Sequence, residues 1–200
     1  GADSFTYTAP GPGGTSAPAT VSVTVATPPA PAVAGKIGVA VPYASSGTAI
    51  DLTSTITGVH TSIAVASAPT YGTVTVAGNV VTYTPNATYF GPDSFTYTAT
   101  GPGGTSTPAM VTLTVATPAA PVAADKSGVA VPYASSGTAI DLAGSVTGVH
   151  NGIAVMSAPA HGTVTMSGYV VTYTPSATYF GADSFTYIAT GPGGNSAPAT

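Results

Sequence analysis

The sequence predicts an all-β protein made of tandem β-sandwich repeats, with about seven strands in each 90-residue unit. Three observations carry that expectation. The first is alternation. From Asp93 to Val115, Phe95, Tyr97 and Ala99 alternate with Ser94, Thr96, Thr98 and Thr100, and Val111, Leu113 and Val115 alternate with Thr112 and Thr114. A period of two sends apolar groups to one face of a sheet and hydroxyls to the other. The second is a long internal repeat. Gly1, Gly91 and Gly181 open the matching segments GADSFTYTAPGPGGTSAPAT, GPDSFTYTATGPGGTSTPAM and GADSFTYIATGPGGNSAPAT, a spacing of 90 residues. Roughly three-quarters of the aligned positions in the two long copies are identical, and a period beyond about 50 residues describes a whole domain rather than one coil of a solenoid. The third is composition: the chain is rich in Val, Thr and Tyr, the β-forming residues, and no segment holds a helical period over the length a helix needs.

The strands of the one whole repeat follow in order. Ile37 to Tyr43 is the first, and Pro42 marks it as an edge because proline cannot donate to a ladder. Thr48 to Leu52 follows, with Ile50 and Leu52 inward and Asp51 outward. Val59 to Ala66 carries Ile63 and Val65. Gly72 to Val76 and Val80 to Thr84 form a hairpin that turns at Ala77-Gly78-Asn79. Residues 93–100 and 107–116 complete the set of seven, joined by Gly101-Pro102-Gly103-Gly104, where proline fixes φ and glycine permits positive φ.

Proline-rich stretches, Ala26-Thr27-Pro28-Pro29-Ala30-Pro31 and Ala116-Thr117-Pro118-Ala119-Ala120-Pro121, are the natural joints. Such segments favour extended, semi-rigid polyproline II. Cutting there gives residues 1–27 as the C-terminal two strands of a preceding domain, 28–117 as a complete domain, and 118–200 as a domain lacking its last strand. Thr200 stands where the counterpart of Val21-Ser22-Val23-Thr24-Val25 would begin. Two readings follow: a stretch of a longer array, or a head-to-tail polymer in which neighbouring chains supply the missing strand.

Composition also bounds function. Only 4 % of the 200 residues are charged, with a net charge of −4, and Glu, Arg, Gln, Cys and Trp do not occur. Six Asp against two Lys leave no basic surface to track a phosphate backbone, so nucleic acid is not an expected partner. No apolar run is long enough to span a bilayer, and membrane insertion is not expected. Without cysteine there is no disulfide scaffold, thiol nucleophile or cysteine-ligated metal.

The segment SAPTYGTVTVAGNVVTYTPNATYFGPDSFTYTATGPGGTSTPAMVTLTVA, Ser67 to Ala116, and its second copy from Ser157 resemble the bacterial Ig-like and cadherin-like tandem repeats of large surface adhesins and extracellular filament proteins. The shared pattern is a G-T-V strand, Y-T-P, G-x-D-S-F-T-Y and a final alternating Val/Thr strand. The resemblance implies tandem immunoglobulin-like β-sandwiches in an extracellular, cell-surface setting, the repeats acting as a stalk or filament. Members of that group often carry an acidic calcium-binding stretch before the third strand. Here the region reads Thr57-Gly58-Val59-His60-Thr61-Ser62, without a carboxylate, and calcium wants six to eight oxygen ligands. Asp93 and Asp183 match the G-x-D position and are expected to stabilise a turn by accepting backbone N–H bonds near the strand start.

Candidate chemistry is sparse, and no catalytic, cofactor-binding or metal-ligating residues are expected. His60 and His150 are equivalent and His161 corresponds to Tyr71, but one histidine per repeat with no companion ligand does not complete a zinc site. Ser45 and Ser46 in the recurring ASSG loop lack the strand-turn-helix elbow of a nucleophile. The GPGG loops lack the helix behind them that a phosphate loop needs. Lys36 and Lys126 recur, and are read as solvated edge lysines rather than partners in an isopeptide bond. Asn86-Ala87-Thr88 is a glycosylation sequon whose counterpart is Ser176. Strand faces lined with Thr and Ser, guarded by only two lysines, point to packing between neighbouring repeats or chains.

The function expected is therefore structural and non-enzymatic: the shaft of an adhesin or extracellular filament, polymerised by strand exchange in one version. The alternative is a carbohydrate- or ligand-binding module recognising a host or surface glycan, for which Tyr43 and Tyr133 in VPYASSG are the recurring aromatic candidates.

Overall fold

Alternation in the sequence becomes two packed sheets. The computed structural model describes residues 1–200, and the chain divides into two units, Gly1–Ala116 and Thr117–Thr200. The first opens with a hairpin of β1 (Ala2–Tyr7) and β2 (Ala19–Thr24), antiparallel with Phe5 opposite Val21. A seven-stranded sandwich follows: β3 (Lys36–Val41), β4 (Thr48–Asp51), β5 (Ser62–Ser67), β6 (Gly72–Ala77), β7 (Val80–Pro85), β8 (Gly91–Gly101) and β9 (Ala109–Val115). One sheet has the order β6-β7-β4, the other β5-β8-β9-β3. All pairings are antiparallel except β3 with β9, which run parallel.

The core lies between these sheets. Ile50, Leu52, Val81, Tyr83, Phe95, Tyr97, Val111 and Leu113 are all at most 2 % exposed. Burial of a large apolar side chain is worth about 1.5–3 kcal/mol, so this set supplies the drive for the fold. The buried tyrosines keep their hydroxyls paired, as a buried polar group must: Tyr97 Oη donates to Ala34 O at 2.9 Å and lies 2.6 Å from Thr55 Oγ1.

Element boundaries differ from the sequence expectation in instructive places. The first strand stops at Val41, before Pro42, and is an edge strand. The third begins at Ser62 rather than Val59. A three-residue 3-10 turn at Thr53–Thr55 and a left-handed Gly58 (φ +88) redirect the chain first, and Thr61 N–H bonds Thr100 O at 2.8 Å before the ladder starts. The hairpin turn is two residues, Gly78-Asn79, not three.

The second unit repeats the plan with β10 (Thr138–Asp141), β11 (Gly152–Ser157), β12 (Gly162–Ser167), β13 (Val170–Pro175) and β14 (Thr186–Gly191). Its core of Ile140, Leu142, Val146, Ile153, Val171, Tyr173, Tyr187 and Ala189 takes the same places. Tyr187 pairs Ala199 as Tyr97 pairs Ala109. Within these residues no strand occupies the position of β9. Lys126–Val131, the counterpart of β3, accordingly makes no ladder, and an open groove of about 600 Å³ lies over Ile140, Leu142, Tyr173 and Tyr187.

Candidate functional site

The residues that recur with the most polar organisation gather at the start of β8, where the loop before β6 and the loop after β7 meet. Asp93 sits at the centre. Its Oδ1 accepts N–H bonds from Thr70 at 3.1 Å and Ser94 at 2.8 Å, and its Oδ2 accepts from Tyr71 N–H at 3.0 Å and the Tyr83 hydroxyl at 2.8 Å. The Ser94 bond is the local turn expected from sequence. The other three tie β8 to a loop more than twenty residues earlier and to the core side of β7. Asp183 repeats the arrangement with Ala160, His161, Ser184 and Tyr173.

Electrostatics follow from that geometry. Burial, reinforced by the hydrogen bond to Asp183, pushes the Tyr173 hydroxyl up to about 12. Burial and the Asp93 contact raise Tyr83 likewise. Burial alone would raise the Asp183 carboxyl, but the bonds from His161, Tyr173, Ser184 and Ala160 outweigh it and hold the group below its ordinary value. These carboxylates are saturated acceptors. They clamp loops together and have little capacity left for a ligand.

Beside each clamp lies an aromatic stack. The rings of Tyr71 and Tyr89 are 4.1 Å apart and 4° from parallel, and those of His161 and Tyr179 are 4.0 Å apart at 11°. Tyr89 Oη donates to Pro92 O, fixing one ring, while Tyr71 is 45 % exposed. This pair was missed from sequence: its members lie 18 residues apart in separate loops, which the Asp93 bond to Tyr71 N–H and the Asn86 N–H bond to Tyr71 O at 2.9 Å bring together. Of the aromatic residues expected to be accessible, Tyr133 is 67 % exposed and Tyr43 is half-buried. Tyr43 and Tyr133 are therefore not the sole recurring candidates; Phe90 and Phe180 at the same loops are also exposed.

The remaining candidates are built into turns. His60 Nε2 lies 3.3 Å from Asn79 Oδ1, whereas His150 meets Tyr169 edge-on with centroids 5.4 Å apart. Ser45 lies 3.4 Å from Thr48 Oγ1 in a turn where Ala44 takes a left-handed φ of +51. Lys36 Nζ donates to Asp51 O at 3.0 Å and Lys126 Nζ to Asp141 O at 2.7 Å, each tying an edge segment to the facing sheet. Asp51 Oδ1 accepts Thr53 N–H at 2.8 Å, and the Thr53 bonds hold its carboxyl below the usual range. The GPGG turn packs against the proline-rich joint: a Cβ on Gly103 would come within 2.2 Å of Pro28 O, and one on Gly193 within 2.2 Å of Pro118 O. No three His or Asp side chains gather as metal ligands, and no helix is long and apolar enough to cross a membrane.

Comparison with known proteins places the repeated sandwich. Among solved structures the chain is similar to the endo-fucoidan hydrolase MfFcnA4 from glycoside hydrolase family 107, at 18 % identity and a TM-score of 0.37, over 100 % of this chain and 33 % of that one. It is also similar to mouse clustered PcdhgC3 EC1-3, at 15 % identity and a TM-score of 0.40, over 99 % of this chain and 74 % of that one. The chain thus spans about one third of the length of the fucoidan hydrolases it matches. No curated protein matches it. A family model described as bacterial Ig domain matches residues 28–114 and again 118–200, and the chain belongs to that family as two tandem copies.

Proposed function

We propose that this chain is a non-catalytic, load-bearing segment of a bacterial extracellular protein, the shaft of an adhesin or filament whose partners are its own neighbouring repeats and chains. One observation carries the reading: the same core, clamp and proline-packed turn recur in both copies at a 90-residue spacing. The fixed parts hold a module together and fix its joint. Membership of the bacterial Ig domain family supports an extracellular location. In the version with strand exchange, a neighbouring chain supplies the last strand of a copy, and β2 has the matching alternation, with Val21 and Val23 at the places of Val111 and Leu113.

The test is length against copy number. Polypeptides carrying two, four and six of the 90-residue units, imaged by electron microscopy, are expected to lengthen by one constant increment per unit. Collapsed particles whose size follows mass rather than copy number would refute the shaft. A second reading, a glycan-binding module, is favoured by the exposed Tyr71–Tyr89 stack, since an aromatic face is a platform for an apolar sugar face. Saturable binding on a glycan array, lost in Tyr71→Ala or Tyr133→Ala, would select it.

A further inference from the structure

A complete sandwich of this kind has four edge strands, and in the first unit three of them carry a feature that discourages pairing with another chain. β3 holds Lys36, a left-handed Gly38 (φ +72) at a break in its register with β9, and Pro42 just beyond its end. β4 is four residues long and ends in Asp51. β5 is interrupted opposite Thr96 and Tyr97, where its register shifts. Charge, proline, shortness and bulges are the devices by which natural sheets protect their edges. β6, Gly-Thr-Val-Thr-Val-Ala, has none of them. It pairs β7 over six consecutive positions without a shift, contains no charged residue or proline, and Thr73, Thr75, Val76 and Ala77 are exposed.

The free edge of β6 can be read residue by residue. Gly78 alone has positive φ (+59) in the two-residue turn, the type II′ pattern, so Ala77 and Val80 exchange both hydrogen bonds beside it. Bonded and non-bonded pairs then alternate. Thr75 faces inward to β7, whereas the N–H and C=O groups of Val74 and Val76 point away from it. No backbone group elsewhere in the chain bonds Thr73–Ala77. The neighbouring β5 belongs to the other sheet and does not pair β6.

We propose that β6 is a lateral self-association edge, paired antiparallel with β6 of a second copy about a two-fold axis through Thr75. That register sets Val74 opposite Val76 twice over, satisfying four outward backbone groups on each strand. It also sets Thr75 against Thr75, a favourable cross-strand pair. The sequence is self-complementary about this point. β12, Gly-Thr-Val-Thr-Met-Ser, repeats the feature in the second unit with six unshifted pairs, Thr165 at the centre and Met166 47 % exposed. The inference deepens the shaft reading by naming a partner strand, since it joins shafts side by side.

Sedimentation velocity of the 200-residue chain, whose monomer is 19.1 kDa, tests it. Association rising with concentration is expected, together with concentration-dependent protection of the Val74, Val76, Val164 and Met166 amides in hydrogen exchange. Thr75→Lys with Thr165→Lys places like charges directly across the axis and should weaken association by up to about fivefold, as like charges opposite one another destabilise a sheet. Mixing that variant with Thr75→Glu/Thr165→Glu should restore it, which a misfolded chain could not do. Ala64→Lys with Ala154→Lys, on β5 and β11, should leave it unchanged. A monomer at all concentrations, unprotected Val74 and Val76 amides, or an equal loss in the Ala64→Lys control would overturn the proposal and leave the length test of the shaft untouched. Strand donation into the groove leaves these amides free, so the two modes of association are told apart.

Discussion

Replacing Asp93 with alanine should unfold the first unit at a much lower temperature while leaving the second where it is. Four donors lose their acceptor together: the N–H groups of Thr70, Tyr71 and Ser94 and the hydroxyl of Tyr83. Hydrogen bonds to a charged group contribute about 1.5–3 kcal/mol each. The clamp is half-buried, so water recovers the outer donors. The Tyr83 hydroxyl, on a ring with 0 % exposure and left with only a long bond to Tyr71 O at 3.4 Å, and one loop N–H stay poorly compensated. Together they set the loss at about 3 kcal/mol, or roughly 12–24 °C in the midpoint of a domain this size. Calorimetry can assign the transitions, because Asp183→Ala should lower the other one. Tyr83→Phe removes only one arm and should cost about 1 kcal/mol. In the Tyr83→Phe background, Asp93→Ala should cost less than it does alone, by about 1–2 kcal/mol of coupling. A shift below about 1 kcal/mol, or additive effects within about 0.3 kcal/mol, would refute the clamp as the organiser of these loops.

Two further outcomes are expected. Because Asp183 titrates lower folded than unfolded, its contribution is complete above the unfolded value near 3.9 and is lost as pH falls through the folded value. The second unit should therefore lose stability below about pH 4, and Asp183→Asn, less stable at neutral pH, should lack that acid-side decline in melts between pH 2 and 6. Gly103→Ala drives a Cβ into Pro28 and Pro29 backbone and should cost on the order of 1–3 kcal/mol, the usual penalty of overpacking. Gly13→Ala, at the matching position of the N-terminal hairpin where nothing lies within 4 Å, should be nearly neutral. Melting curves and protease sensitivity at Ala30 to Ala32 would check both.

Strands were legible wherever one side chain in two had to be buried. Ile50 and Leu52, or Phe95, Tyr97 and Ala99, read directly because the pleat converts sequence parity into inside and outside. Turns that depend on contacts distant in sequence did not read. Val59 is apolar and β-branched, yet it lies in a loop because Gly58 and the turn at Thr53–Thr55 reset the direction before Ser62. Asp93 was recognisable as a turn residue from Gly-x-Asp, but its reach to Thr70 and Tyr71 depends on where a loop 22 and 23 residues earlier is folded. The Tyr71–Tyr89 stack carries no periodicity at all, and only the recurrence of Tyr89 as Tyr179 hinted at a fixed role. Gly103 showed a turn, while its contact with Pro28 required the joint to lie on the domain surface.

In the first unit the parallel pairing of β3 with β9 joins the first strand of the larger sheet in chain order to its last. A pull through the two joints draws the start of β3 and the end of β9 in opposite directions, so the ladder between them is loaded in shear. All its hydrogen bonds then bear the tension at once instead of opening one by one like a zipper. In the shaft proposed above, this ladder would give way as a block, so that a domain opens in one step rather than strand by strand.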